Sequence, residues 1–356
     1  MSLVETSVVR PDLAESQLSL KVSFLWTFAG TFLYAACNWG VLAIIAKLTG
    51  PAKLGEYALG VAIVTPIFML ANVNLRAVLA TDITAKHRFT EYLDIRVIGT
   101  TLALLSIACI AWFQKWPVEL SWAVLLVGCL QGVEAISDIH WGYLQRDERM
   151  KQISWSMIAR GTLSFVALGL VLFITGRLIY ALIAMVLARL GILVFVDLPQ
   201  FWDLRSRNVI SRGLGRKPTL QSKVALLWTA LPLGMVLMFS SLAQSTPTYF
   251  IKRNLGIAEV GLFAAIVSLL SVGTTVINAL GQAAMPRLAK FYVTGDLYRF
   301  RLLVLKMVAI GIATGLCGVG IAHFYGGPVL RLMYRPEFAQ HANLLVAVMF
   351  SSVAIY

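Results

Sequence analysis

Acidic side chains are scarce, with 17 Asp and Glu among 356 residues, and all charged types together make up only 13%. Soluble domains average about 25% charged and about 45–50% apolar residues even with Gly included. Here 59% of the chain is apolar before Gly is counted, and the mean hydropathy is +0.80. That excess cannot be packed into a water-soluble core, which excludes a cytosolic enzyme, a secreted scaffold and a disordered tail. The solvent is a bilayer. Cysteine is also sparse: Cys37, Cys109, Cys129 and Cys317 all lie inside apolar runs without CxxC or Cys/His spacing, so they read as small packed hydrophobes. No Walker, HExxH or GxSxG motif occurs, which leaves ATPase, metalloprotease and serine-hydrolase chemistry without support. The expectation is a non-enzyme with no catalytic residues, no metal and no cofactor.

Apolar runs long enough to cross a membrane, about 20 residues each, fall at 23–46, 57–80, 97–113, 120–143, 153–174, 178–197, 224–250, 257–285 and 302–323, with a tenth beginning near 343. The polar residues 1–22 precede the first run as a retained segment rather than a cleaved signal peptide. Placing the N-terminus in the cytoplasm puts eighteen of the thirty Lys and Arg in inner segments, eight in outer segments and four inside the runs. This bias is topological and removes nucleic acid as the reason for a net charge of +13. Six of the cations fall between Gln200 and Lys223, a basic connection expected to touch anionic headgroups.

An internal repeat is visible. Gly50-Pro-Ala-Lys-Leu-Gly55-Glu-Tyr57-Ala58 returns as Gly256-Ile-Ala-Glu-Val-Gly261-Leu-Phe263-Ala264, at an offset of 206, and Leu25-Trp26-Thr27 returns as Leu227-Trp228-Thr229. A duplicated six-helix unit is the economical reading. It predicts an all-α polytopic membrane protein of two pseudo-repeated bundles: residues 1–22 as a cytoplasmic segment, 23–198 as the first bundle, 199–223 as a basic cytoplasmic linker and 224–356 as an incomplete second bundle. By this repeat the second unit would end near 400, so the sequence is expected to be a fragment lacking about two helices.

The segments Leu42–Gly60 and Glu134–Gly161 (with Asp138, Gln145, Arg146, Glu148, Arg149 and Met150), together with Leu231-Pro232-Leu233-Gly234, Pro247, Gly281-Gln282-Ala283-Ala284, Pro286-Arg287-Leu288 and Gly295-Asp296, resemble bacterial polysaccharide-biosynthesis flippases. These are the O-antigen and exopolysaccharide exporters of the multidrug/oligosaccharidyl-lipid/polysaccharide superfamily. The resemblance implies a V-shaped cavity between two bundles in the bacterial inner membrane. It also implies alternating-access translocation of undecaprenyl-diphosphate-linked oligosaccharides, commonly coupled to an ion gradient, beside polysaccharide assembly machinery. The alternatives are a cation-coupled multidrug exporter of the same superfamily, a membrane polysaccharide polymerase or ligase, and a transport-dead remnant.

A diphosphate carried through hydrocarbon needs a wet, cationic path. Arg76, Arg160, Arg189 and Lys306 lie within apolar runs and are the expected substrate-binding cations, with snorkelling to the interface as the competing reading for Lys306. Glu134 and Asp138, one turn apart on the fourth run, are either an ion-coupling site or counter-ions to Arg160 and Arg189. His140 beside them reads as a packed or headgroup-facing residue. Pro66 is expected to interrupt the second helix, and Pro232 and Pro247 to bend the seventh, as hinges.

Overall fold

The computed structural model describes residues 20–82, 87–200, 219–293 and 295–355, and no strand occurs among them. The chain runs α1 (Leu20–Thr49), α2 (Pro51–Asn72), α3 (Leu75–Thr81), α4 (Phe89–Phe113), α5 (Val118–Arg146), α6 (Met150–Thr175) and α7 (Leu178–Ile192), which continues through a π-helical turn, Leu193–Asp197. After the connection come α8 (Leu220–Asn254), α9 (Ile257–Val293), α10 (Leu297–Met333), the short α11 (Pro336–Ala339) and α12 (Ala342–Ile355). Eight of the helical stretches are long and apolar enough to cross a membrane. Eight of the nine expected full runs are recovered in order; the run expected at 257–285 falls in α9, where the apolar stretch Ile257–Ser271 is shorter, as is Ala342–Ser351 at the expected tenth. Residues 1–19 and most of the expected linker, 201–218, lie outside the described residues.

The helices overrun the apolar runs. α4 starts at Phe89 rather than 97, and α10 continues to Met333 rather than 323. Backbone hydrogen bonding continues into the headgroup zone, where polar side chains are tolerated. Below the surface, one core cluster joins Val41, Ile45 and Ala46 of α1 to Ala181, Leu182 and Met185 of α7, Ala265 and Ile266 of α9, and Tyr334 and Phe338 at the α10–α11 corner. Outward, Leu102, Leu105, Phe173, Leu187, Phe239 and Leu305 are exposed, as expected for side chains whose solvent is lipid. Cys109, Cys129 and Cys317 share that exposed surface, so these three are not core residues; only Cys37 is partly buried. A thiol is apolar enough to face acyl chains without a packing partner.

Pro66 does not interrupt the second helix. α2 runs through it to Asn72, and the break falls at Val73 and Asn74, both left-handed with φ of 39° and 50°. Pro66 lacks the N–H that would bond the Ala62 carbonyl four residues earlier. The Tyr249 hydroxyl of α8 donates to that carbonyl at 2.6 Å. The freed acceptor is satisfied from a neighbouring helix, and α2 stays continuous. Pro232 and Pro247 likewise lie inside an unbroken α8.

Candidate substrate cavity and its flanking charge clusters

Below, the near end is where α1 begins and the far end is where it terminates at Thr49. A cavity of about 790 Å³ lies between α1, α2, α5 and α7 on one side and α8 and α9 on the other. Its polar lining is mostly neutral: Asn38, Thr65, Gln131, Ser241, Gln244, Ser245, Thr248, Ser268 and Ser271 supply amides and hydroxyls, while Phe32, Tyr34, Trp39, Tyr57 and Phe263 supply rings. Two charged residues complete it, Glu134 and Arg189.

These two are bonded to each other. Arg189 Nη1 donates to Glu134 Oε2 at 2.6 Å, the Tyr34 hydroxyl donates to Glu134 Oε1 at 2.5 Å, and Arg189 Nη2 reaches Asn38 Oδ1 at 3.4 Å. The pair spans α5 and α7 and is closed from α1. Its formal charge is zero, so the cavity wall is polar without being electropositive. A compensated guanidinium with a free Nε, a carboxylate, phenol and amides together match ligands rich in hydroxyl groups better than an isolated anion.

Arg160, expected on a cavity wall, is instead sealed between helices with no exposed surface. Its Nη2 donates to Asp197 Oδ2 at 2.6 Å and to the Ser137 hydroxyl, and its guanidinium lies 5.0 Å from the centre of the Trp141 ring. Ser156 donates to the other Asp197 oxygen and accepts from Trp141 Nε1 at 3.1 Å. The π-helical turn carries Asp197 and adds a residue to the local repeat, which changes the face on which that side chain emerges. A buried charge needs a matched partner, and the carboxylate that serves Arg160 comes from the end of α7, not from the acids of α5. His140 bonds the Ile136 carbonyl at 2.7 Å and packs against Phe89, as a packed histidine would.

Asp138 serves a third cluster. Arg76 Nη1 of α3 donates to its Oδ1 at 3.2 Å and Arg96 Nη2 of α4 to its Oδ2 at 3.1 Å. Arg76 also reaches Gln145 Oε1 at 3.2 Å and keeps about 31% of its side chain exposed, whereas Arg96 is fully buried. One carboxylate between two guanidinium groups leaves a positive charge over. Lys306, the fourth expected cation, is exposed on α10 and is not among the lining residues. α10 presents it to the surface, where a long ammonium side chain can reach the interface.

The structure therefore brings Arg189 to Glu134 and Arg76 to Asp138, but it does not gather the four cations into one site. Arg96 and Asp197 are the residues that sequence reasoning missed. Both sit at the edges of apolar runs and read as boundary charges, and the only available signal was helical continuation beyond those runs.

A profile of the polysaccharide biosynthesis protein family matches residues 20–292. The chain belongs to that family. A capsular polysaccharide biosynthesis protein, CapF of Staphylococcus aureus, is 24% identical over 333 residues, covering 94% of this chain and 82% of CapF. Among solved structures, a mutant form of the Vibrio cholerae MATE transporter VcmN aligns with a TM-score of 0.59 at 16% identity, covering 94% of this chain and 80% of its own. A MOP-superfamily transporter from Pyrococcus furiosus aligns at 0.53 with 15% identity, covering 92% and 81%. At these identities the likeness to the family of transporters is one of fold. Family membership ties the chain to polysaccharide biosynthesis, and its helices share the fold of those transporters.

Proposed function

We propose that the protein translocates undecaprenyl-diphosphate-linked oligosaccharides from the cytoplasmic to the periplasmic leaflet by alternating access, with its N-terminus in the cytoplasm. The observation that carries this reading is the cavity wall: amides, hydroxyls and aromatic rings around a neutralised Glu134–Arg189 pair suit the saccharide. In this reading the diphosphate meets Arg76 at the near end, where Asp138 is shared with Arg96 and cannot compensate both guanidinium groups. Arg160 has a positioning role, holding α5, α6 and the end of α7 in register. Glu134 and Asp138 act as counter-ions. Lys306 anchors α10 to headgroups, and Pro232 and Pro247 let α8 bend between states.

The test is genetic and chemical. Deleting the gene is expected to leave lipid-linked oligosaccharide on the inner leaflet, and restoring the chain to relieve that accumulation. Arg189→Gln and Glu134→Gln are each expected to lower export by about tenfold, the ratio that one hydrogen bond to a charged group corresponds to. Arg76→Gln should impair export of the lipid-linked diphosphate without altering binding of the free saccharide. A deletion strain whose lipid-linked intermediates are unchanged would overturn the assignment.

A further inference from the structure

At the far end, the set of helices before the connection, α1–α7, and the set after it, α8–α12, hold one another through reciprocal contacts. A Cβ on Gly55 would overlap the Ile257 carbonyl oxygen, and a Cβ on Gly261 would overlap the Pro51 carbonyl oxygen. The offset of 206 maps Pro51 onto Ile257 and Gly55 onto Gly261, so the contact is the same one made twice across a two-fold relation. Only glycine allows helices this close. Tyr57, Ala58, Phe263 and Ala264, two or three residues further along each helix, line the cavity, so the crossing lies directly over it.

Two cations extend the contact. Lys47 Nζ of α1 donates to the Leu332 carbonyl at the end of α10 at 3.1 Å. In return Arg335 donates from Nε to the Lys47 carbonyl at 3.0 Å and from Nη2 to the Leu48 carbonyl at 2.7 Å, both in the last turn of α1. Each cation thus caps the negative end of the opposite set's helix. The corner bearing Arg335 is fixed within its own set, since the neighbouring Tyr334 donates to the Ala265 carbonyl at 3.1 Å. Arg335 is therefore a rigidly mounted donor reaching across a boundary. The near end is different. There, among the described residues, the polar links between the sets run through the first turns of α8, as Lys223–Asp94 at 2.6 Å and Ser222–His87 at 3.1 Å.

We infer that Lys47 and Arg335 form a latch that closes the cavity at the far end over the Gly55–Gly261 crossing, and that its release opens the far face. The inference rests on the alternating-access reading. These donors are solvent-accessible and cap carbonyls that water can also satisfy, so the latch can break without stranding a buried group. A crossing of glycines alone has no such polar element to release.

The experiment uses the full chain with its four native cysteines replaced and a single cysteine placed by Ala264→Cys in the cavity wall. Labelling by a membrane-impermeant maleimide is followed from each face of the membrane. Lys47→Met/Arg335→Met is expected to raise far-face labelling by about tenfold, the ratio for losing a hydrogen bond to a charged group, with Arg335→Lys intermediate. Arg335→Gln alone removes two of the three bonds and serves if the double variant does not fold. Unchanged far-face labelling in folded protein, or a rise confined to the near face, would overturn the latch. Export is scored separately. Faster labelling in a chain that never relieves lipid-linked oligosaccharide accumulation leaves the latch standing and removes the flippase reading, while restored export with unchanged labelling does the reverse.

Discussion

At the scale of single residues, the decisive quantity is where each ionic group finds its partner. Arg160 and Asp197 are both sealed, with side-chain exposures of 0% and 1%, so removing either leaves a charge without water or counter-ion. Arg160→Met is expected to cost roughly 3–5 kcal/mol, read as a lower thermal inactivation temperature in detergent. Arg160→Met/Asp197→Leu should recover much of that loss, because the pair is removed together. The Glu134–Arg189 pair is different, lying on a cavity wall where the Glu134 side chain keeps about 26% of its surface exposed. In the flippase reading its variants act on export more than on folding. Sequence reasoning found three of these four groups and not their arrangement. Arg160, Arg189 and Glu134 stand out as charges in apolar runs, while Asp197 ends a run and looks like any interfacial acid. Which guanidinium meets which carboxylate depends on helix packing, and a one-residue π insertion is enough to re-aim Asp197.

At the scale of elements, the order of spans was legible because hydropathy over a membrane-length window is a strong signal. Helix ends were less so, since the hydrogen-bonded ladder does not stop where the lipid does. The sequence also suggested a helix break at Pro66 because it does not show what covers the freed carbonyl. That cover is testable. Tyr249→Phe strips the Ala62 carbonyl of its donor and is expected to destabilise the protein by about 1–3 kcal/mol. Pro66→Ala restores the N–H within α2 and should make the Tyr249→Phe change nearly silent. A thermal-unfolding cycle of the four proteins measures that coupling, and simple additivity would count against the exchange of donors.

At the scale of the whole molecule, the two sets of helices are tied at both ends, and in the alternating-access reading proposed above the ties oppose each other. Asp94→Asn loosens the near end by removing the half-buried Lys223 pair. It is expected to slow far-face labelling of Ala264→Cys by about twofold, the scale of a surface ion pair, in the direction opposite to the Lys47/Arg335 changes. The Gly55–Gly261 crossing carries a consequence of another kind. A contact that maps onto itself under two-fold rotation would serve two copies of a half-length chain as well as one long chain. In such a pair every substitution counts twice, so both partners must stay identical. Within a single chain that constraint is absent: Lys53 stands where the offset of 206 places Glu259, a difference of charge that no self-pairing subunit could hold on one side alone.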